Sequence, residues 1–288
     1  MLYNYTMLLI DSYKYCENIA KENYENFPVG SLLFPKKKRK YIYAIYAFAR
    51  SADNIADSGK LSEVEKLNQL NELNINLTDI QNGKTNFKNQ IFTALADTIK
   101  NNNIPIDEFT NLLKAFKQDS VKQKYKNFGE LLEYSEISAN PIGHLVLYVS
   151  GFKYDNELFT LSDNICTALQ LINFWQDVSR DLDIGRIYVP SVEMEKYEYT
   201  YEYLNNRIEN ENFRTLIKYL VDETEKLFLK GKAIENHLSG RLKYEIRATY
   251  IGGMTILNKI RKNNYNVLGK RVKLNKIDKS LLIIKSLI

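Results

Sequence analysis

Apolar residues along this chain recur at steps of three and four, and no long stretch alternates with period two, so the pattern predicts helices almost throughout. The period places helices near residues 11 to 24, 36 to 57, 62 to 76, 87 to 101, 106 to 120, 127 to 139, 141 to 151, 157 to 182, 191 to 210, 211 to 238, 241 to 262 and 276 to 286. Each proline, Pro28, Pro35, Pro105, Pro141 and Pro190, falls at a helix start or in a loop, where a fixed φ and a missing N–H are tolerated. The Asn-rich stretches from Asn71 to Asn89 and from Asn101 to Asn103 read as loops. No Gly/Ser/Pro linker divides the chain and no period of 20 to 50 residues repeats. The expectation is an all-α fold, one helical domain over residues 1–288 with a basic tail at 258–288.

Composition narrows the classes. A 288-residue chain with 44% hydrophobic residues has ample material for a core. Cys16 and Cys166 are the only cysteines, far apart and without metal-type spacing, which argues against a disulfide scaffold or a zinc site. The N-terminus lacks a signal-peptide pattern, and no run of about 20 apolar residues occurs. A cytoplasmic, non-spanning chain is expected, with the inner membrane surface as a peripheral station. The net charge of +5 is uneven: residues 258–288 carry nine Lys/Arg against one Asp, +8, and the rest of the chain is net −3. Basic residues interleaved with apolar ones in that tail fit either the solvated face of a last helix or a transient contact with an anionic membrane surface. The KKKRK run from Lys36 to Lys40 reads as a solvated helix start. No nucleic-acid partner is expected of a chain that is acidic outside its tail.

Two acidic pairs carry the candidate chemistry. Asp53 with Asp57 and Asp177 with Asp181 share a four-residue spacing, which turns an α-helix by about 400° and sets both carboxylates of a pair within roughly 40° of each other. Tyr43, Tyr46, Arg50, Asp53 and Asp57 form one stripe, either an amphipathic surface face or the wall of a polar-mouthed cavity. Gln170, Asn173, Asp177 and Asp181 form a second stripe among Leu169, Leu171, Ile172, Phe174, Trp175 and Val178. Polar groups amid so much apolar surface face a cavity, each other or solvent, because burial without partners is costly. Magnesium is a hard ion that takes oxygen ligands and is commonly held by a few carboxylates together with substrate phosphates. Two such pairs suit a magnesium-dependent enzyme in which the metal acts as a Lewis acid on a departing diphosphate. Aromatic faces, of which 21 Tyr and 13 Phe supply many, would stabilise the carbocation left behind.

At these residues the sequence resembles a known family. YAIYAFARSADNIAD and LQLINFWQDVSRDLDIGRIYVP are similar to the two aspartate-rich signatures of the squalene and phytoene synthases, which join isoprenoid diphosphates head to head. NFPVGSLLFP, YSEISANPIGHLVL and IGGMTILNKIRKNNYNVLGKR agree in order and spacing, so the resemblance runs from about residue 15 to 275. It implies an isoprenoid-synthase helical bundle around a central cavity, Mg2+ as cofactor, and Asp53, Asp57, Asp177 and Asp181 as metal-holding catalytic residues. By the same matching Asn173 adds a metal ligand, and Tyr46, Arg50, Gln170 and Tyr134 correspond to diphosphate or pocket residues. Arg271 matches a basic residue near the phosphates, and Arg186 and Tyr188 lie in a GRIYVP loop that would cap the cavity.

Departures from the general pattern point to a subfamily. Tyr24 and Asn26 stand before Phe27 where a pair of serines is common, Gln176 replaces an arginine, and Gly253 falls about where many members place a tyrosine. ENFPVGSLLFP, SANPIGHLVL, NFWQDVSRD and GGMTIL are instead similar to bacterial hydroxysqualene synthases of hopanoid biosynthesis. That resemblance implies loss of diphosphate from presqualene diphosphate and capture of the cation by water, with Tyr134 and Asn173 as candidates to place the water. Two other readings stay open: a condensing synthase acting on two prenyl diphosphates such as farnesyl diphosphate, and a non-catalytic helical partner of a sister synthase at the membrane. His144 reads as a satisfied core or pocket-edge histidine, and His237 as a surface one.

Overall fold

The computed structural model describes residues 2–22, 35–269 and 271–287. Of NFPVGSLLFP, all but the final Pro35 lies outside the described residues, including Asn26, Phe27 and Pro28, as does Tyr24. Among those described there is no β-strand; one isolated bridge joins Lys124 and Ile187. The chain divides into two compact units, Met1–Val121 with Pro141–Tyr154, and Lys122–Asn140 with Asp155–Ile288.

The first unit holds α1 (Leu2–Glu22), α2 (Arg39–Ala56), α3 (Glu63–Gln81), α4 (Gln90–Asn102), α5 (Asp107–Val121) and most of α7 (Asn140–Ser150). Its packing follows from the face of α2 opposite the polar stripe. Ala44, Ala47 and Ala52 let neighbouring helices approach, and Phe48 fills the centre, edge-on to Phe92 at 6.0 Å and to Phe109 at 5.4 Å. α3 starts at a capping box in which Ser62 accepts from the Glu65 N–H while the Glu65 carboxylate accepts from the Ser62 N–H. Contrary to the sequence reading, α3 continues through the Asn-rich stretch to Gln81. Leu70, Leu73, Leu77 and Ile80 are all buried at steps of three, four and three, and that apolar stripe outweighs the weak helix propensity of asparagine. Asn103, at φ 49°, ends α4 as the asparagine loop signal suggested. The basic run is used locally, with Lys40 lying over the rings of Tyr13 and Tyr41 at 4.5 and 4.7 Å.

The second unit holds α6 (Phe128–Ser138), α8 (Asn156–Asp183), α9 (Ser191–Lys196), α10 (Tyr201–Asn205), α11 (Glu211–Gly231) with a 3-10 turn (Lys232–Asn236), α12 (Gly240–Lys262) and α13 (Lys276–Leu287). The helix expected over 191 to 210 is two short ones. Glu198 (φ 51°) takes a left-handed conformation after Tyr197, and Thr200 caps the restart by accepting from the Tyr203 N–H. α8 is the spine of this unit, packed against α6, α11 and α12. Asp155 caps its start, and its buried face carries Leu171, Ile172, Phe174, Trp175 and Val178, each contributing about 1.5–3 kcal/mol by leaving water. Trp175 is fully buried and donates from Nε1 to the Thr224 hydroxyl of α11 at 2.8 Å.

Candidate active site

The first acidic pair sits at the end of α2. Asp53 is half-buried and accepts a hydrogen bond from Arg50 Nη1 at 2.7 Å, one turn earlier. Asp57 is the C-cap residue, with its N–H donating to the Asp53 carbonyl at 2.9 Å and its side chain exposed; the Ser58 N–H donates to the Ile55 carbonyl at 3.2 Å. Tyr43, Tyr46, Arg50 and Asp53 are all half-buried, whereas Ala44, Ile45, Ala47, Phe48, Ala52 and Ala56 are buried. The predicted stripe is therefore the accessible face of α2.

The second pair sits near the end of α8. Asp177 is gripped from two sides by the guanidinium of Arg271: Nη2 donates to Oδ2 at 2.6 Å, and Nε lies 2.6 Å from Oδ1. Nε and Oδ1 are buried and complete no aligned hydrogen bond, so the second contact is an ion pair only. Arg180 stands 3.7 Å from Oδ1. The neighbouring residues repeat the clasp, since Gln176 Nε2 donates to the Val272 carbonyl at 2.6 Å. Gln176 thus fixes the backbone that carries Arg271, a role that its place beside Asp177 did not announce. Asp181, one turn on, has its carboxyl pushed up to about 7, first by burial and next by the Asp177 charge, against the pull of Arg186, Arg271 and Arg180. Along the same stripe Gln170 is half-buried and Asn173 exposed, so this too is the accessible face of its helix.

Beyond α8 the chain turns through Gly185 at φ +78°, a conformation that favours glycine, and the Arg186 N–H closes the turn onto the Asp181 carbonyl at 2.7 Å. The following segment runs beside residues 123–126. Ile187 donates to the Gln123 carbonyl at 2.8 Å, and Ser191 to the Tyr125 carbonyl at 3.1 Å. That pairing seats Tyr188 flat on Phe174, ring centroids 3.8 Å apart and planes 7° from parallel. Tyr125 stacks on Tyr188 at 5.5 Å, and Tyr134, 4% exposed, closes the group against Tyr125 at 5.6 Å and Phe174 at 6.2 Å. The void beside this cluster, bounded by Asp181, Arg186 and Tyr188, is about 10 Å³, barely one water, so the four rings pack on one another. Sequence reasoning singled out Tyr134 and Tyr188; Tyr125 carried no pattern that could have found it.

The structure thus brings Asp177, Asp181, Arg271, Arg186, Tyr188, Tyr134, Gln170 and Asn173 into the second unit, and Tyr46, Arg50, Asp53 and Asp57 into the first. Among the described residues no three His, Cys, Asp or Glu side chains form a ready-made metal cage. The donor chemistry still suits magnesium. Each pair offers two hard oxygen donors, Asp177 Oδ1 lacks an aligned donor, and Asp181 lies where a cation would relieve it. His144 is satisfied, with Nδ1 3.0 Å from both oxygens of Glu108, as expected of a core or pocket-edge histidine.

The chain is 31% identical over 229 residues to the hydroxysqualene synthase of Sinorhizobium fredii, covering 79% of this chain and 76% of that protein. It is 27% identical over 281 residues to chloroplastic phytoene synthase 1 of Solanum lycopersicum, covering 96% of this chain and 68% of the relative. The crystal structure of squalene synthase HpnC from Alicyclobacillus acidocaldarius superposes with a TM-score of 0.84 at 34% identity, over 90% of this chain and 96% of that one. The squalene/phytoene synthase family model matches residues 20–278. With both aspartate signatures in place on their helices and that match spanning nearly the whole length, the chain belongs to the squalene/phytoene synthase family.

Proposed function

We propose that the chain is a magnesium-dependent hydroxysqualene synthase, converting presqualene diphosphate to hydroxysqualene. The observation that carries this reading is its likeness, over most of its length, to a hydroxysqualene synthase and to squalene synthase HpnC at higher identity than to the phytoene synthase.

In this mechanism the carbon–oxygen bond to diphosphate breaks and its electron pair leaves with the phosphate oxygen. Rearrangement of the cyclopropylcarbinyl cation follows, then attack by water and loss of one proton. Bound magnesium would supply Lewis-acid stabilisation of the leaving diphosphate. Asp53, Asp57, Asp177 and Asp181, with Asn173, are the residues assigned to hold it. Arg50, Arg186 and Arg271 bring guanidinium forks suited to phosphate oxygens, and Tyr46 and Gln170 orient the head of the substrate. The rings of the Phe174, Tyr188, Tyr125 and Tyr134 cluster are assigned to stabilise positive charge through whichever faces lie outside their mutual packing. Asn173 and Tyr134 are the residues assigned to place the attacking water.

A second reading, head-to-head condensation of two prenyl diphosphates, draws on the fuller coverage of the chain by the phytoene synthase match. Incubating the purified protein and magnesium with presqualene diphosphate or with farnesyl diphosphate separates the two. Hydroxysqualene from the former and no turnover of the latter supports the proposal, and product from farnesyl diphosphate alone overturns it. Retention of product formation in both Asp53→Ala and Asp177→Ala would reject the site assignment, and a wild type that turns over neither diphosphate would leave only the non-catalytic reading of the chain. Substrates and products of this kind are lipids, which suits a peripheral station at a membrane surface.

A further inference from the structure

The outer face of α13 is largely exposed. Ile277, Leu281 and Ile284 are 70%, 46% and 56% exposed, and their spacing of four and three sets them in one stripe along the helix. The opposite face is firmly held. Asn275 caps the helix start by accepting from the Asp278 N–H at 2.8 Å, and Asp278 ion-pairs with Lys259 of α12. Leu282 lies over Gly252, Ser286 is 3% exposed, and Arg247 of α12 donates to the Ser286 carbonyl at 3.4 Å. The helix therefore has a fixed rotation, and its apolar stripe points away from the protein by construction.

The charges around the stripe have one sign. Lys273, Lys276, Lys279 and Lys285 are exposed and form no ion pair among the described residues. Asp278, the only acid between residues 258 and 288, is spent on Lys259. Lys276 and Lys285 fall about 100° and 80° to either side of Ile277, so ammonium groups flank the stripe on both edges. With 12 residues α13 is too short to cross a bilayer, and no helix among the described residues is long and apolar enough to do so.

We propose that this face of α13 docks in the plane of an anionic lipid bilayer, with Ile277, Leu281 and Ile284 among the acyl chains and Lys276 and Lys285 on lipid phosphates. Charge complementarity selects that occupant. Two copies paired through this face would set lysine edge against lysine edge, and a neutral bilayer would leave the lysines without partners. The inference concerns where the protein works and stands apart from which diphosphate it turns over.

Flotation of the full chain, without substrate, through a density gradient tests it with vesicles of phosphatidylcholine alone and of phosphatidylcholine with phosphatidylglycerol. The protein should float with the anionic vesicles, not with the neutral ones, and high salt should weaken the binding. The triple variant Ile277→Ser, Leu281→Ser, Ile284→Ser should lose about tenfold or more in partitioning, with an unchanged thermal melt because all three positions are exposed. The variant Lys276→Gln, Lys285→Gln should lose a comparable amount. Wild-type protein that stays below the anionic vesicles overturns the proposal, as does a serine variant that floats like wild type. A wild-type dimer that the serine variant dissociates would assign the face to a second copy and equally reject the lipid surface.

Discussion

Replacing Asp181 by Asn should stabilise the metal-free protein above neutral pH while abolishing turnover. The carboxyl is half-buried one turn from Asp177, and its folded-state value is raised from 3.8 to about 7 by burial and by that neighbouring charge. At about 1.4 kcal/mol per pKa unit, the ceiling on the cost of ionising it in the fold is about 4 kcal/mol. Water at a half-buried group and relaxation of nearby arginines should bring the measured figure to about 1–3 kcal/mol. The direction is opposite to that of a salt-bridged carboxylate. Between pH 3.8 and 7 the folded state binds the extra proton, so stability falls as pH rises through this window and stays low above it. Asn resembles the neutral acid and carries no such slope. Urea unfolding in chelator should therefore show the variant more stable than wild type at pH 8, with the gap narrowing as pH falls below 7 and closing near 4. Magnesium should stabilise wild type and have a smaller effect on the variant. A variant no more stable than wild type at pH 8, or a gap indifferent to pH, would refute the electrostatic account of this pair.

Arg271→Gln removes the clasp on Asp177 and leaves a carboxylate at 20% exposure without its main partner. The metal-free melt should fall by an equivalent of about 1–3 kcal/mol, and magnesium should recover more of it than in wild type. Thr224→Val orphans the Trp175 indole N–H in a fully buried site, which should cost about 1–3 kcal/mol in urea unfolding followed by the emission of the sole tryptophan. Gly253→Ala would place a methyl 2.3 Å from Phe228 Cζ, a clash expected to cost about 1–3 kcal/mol. Combining it with Phe228→Leu should return part of that loss in a double-mutant cycle, and strict additivity would show that the two sites do not share the space.

Much of the helical order was legible because it rests on local physics. The apolar period and the asparagines from Asn101 to Asn103 each act within a turn or two of chain, and the structure ends α4 at Asn103. The errors were also local. Asn71, Asn74 and Asn76 looked like loop formers, but Leu70, Leu73, Leu77 and Ile80 bind that stretch to the core. Over 191 to 210 the period continued while the backbone did not, because Thr200 offered a cap and Glu198 left the helical region. In the second unit, spacing set Asp177 and Asp181 on one face of α8. It gave no sign of Arg271, 94 residues away, closing on Asp177, and only the family resemblance put that residue near the phosphates.

The departures from the family pattern acquire a physical meaning once their partners are visible. By resemblance Gly253 falls about where many members place a tyrosine, and in this chain a Cβ there would meet the tip of the Phe228 ring, at 2.3, 2.9 and 3.0 Å from its Cζ, Cε1 and Cε2. Phe228 of α11 is fully buried and fills the space beside Gly253, so a larger side chain at that point of α12 has no room. Gln176 stands where an arginine is common, and the positive charge at Asp177 comes from Arg271, whose backbone neighbour Val272 is the acceptor of the Gln176 amide. At both positions the partner comes from a distant stretch of chain, Phe228 of α11 and the Val272 carbonyl beyond α12, which one sequence read by itself does not reveal.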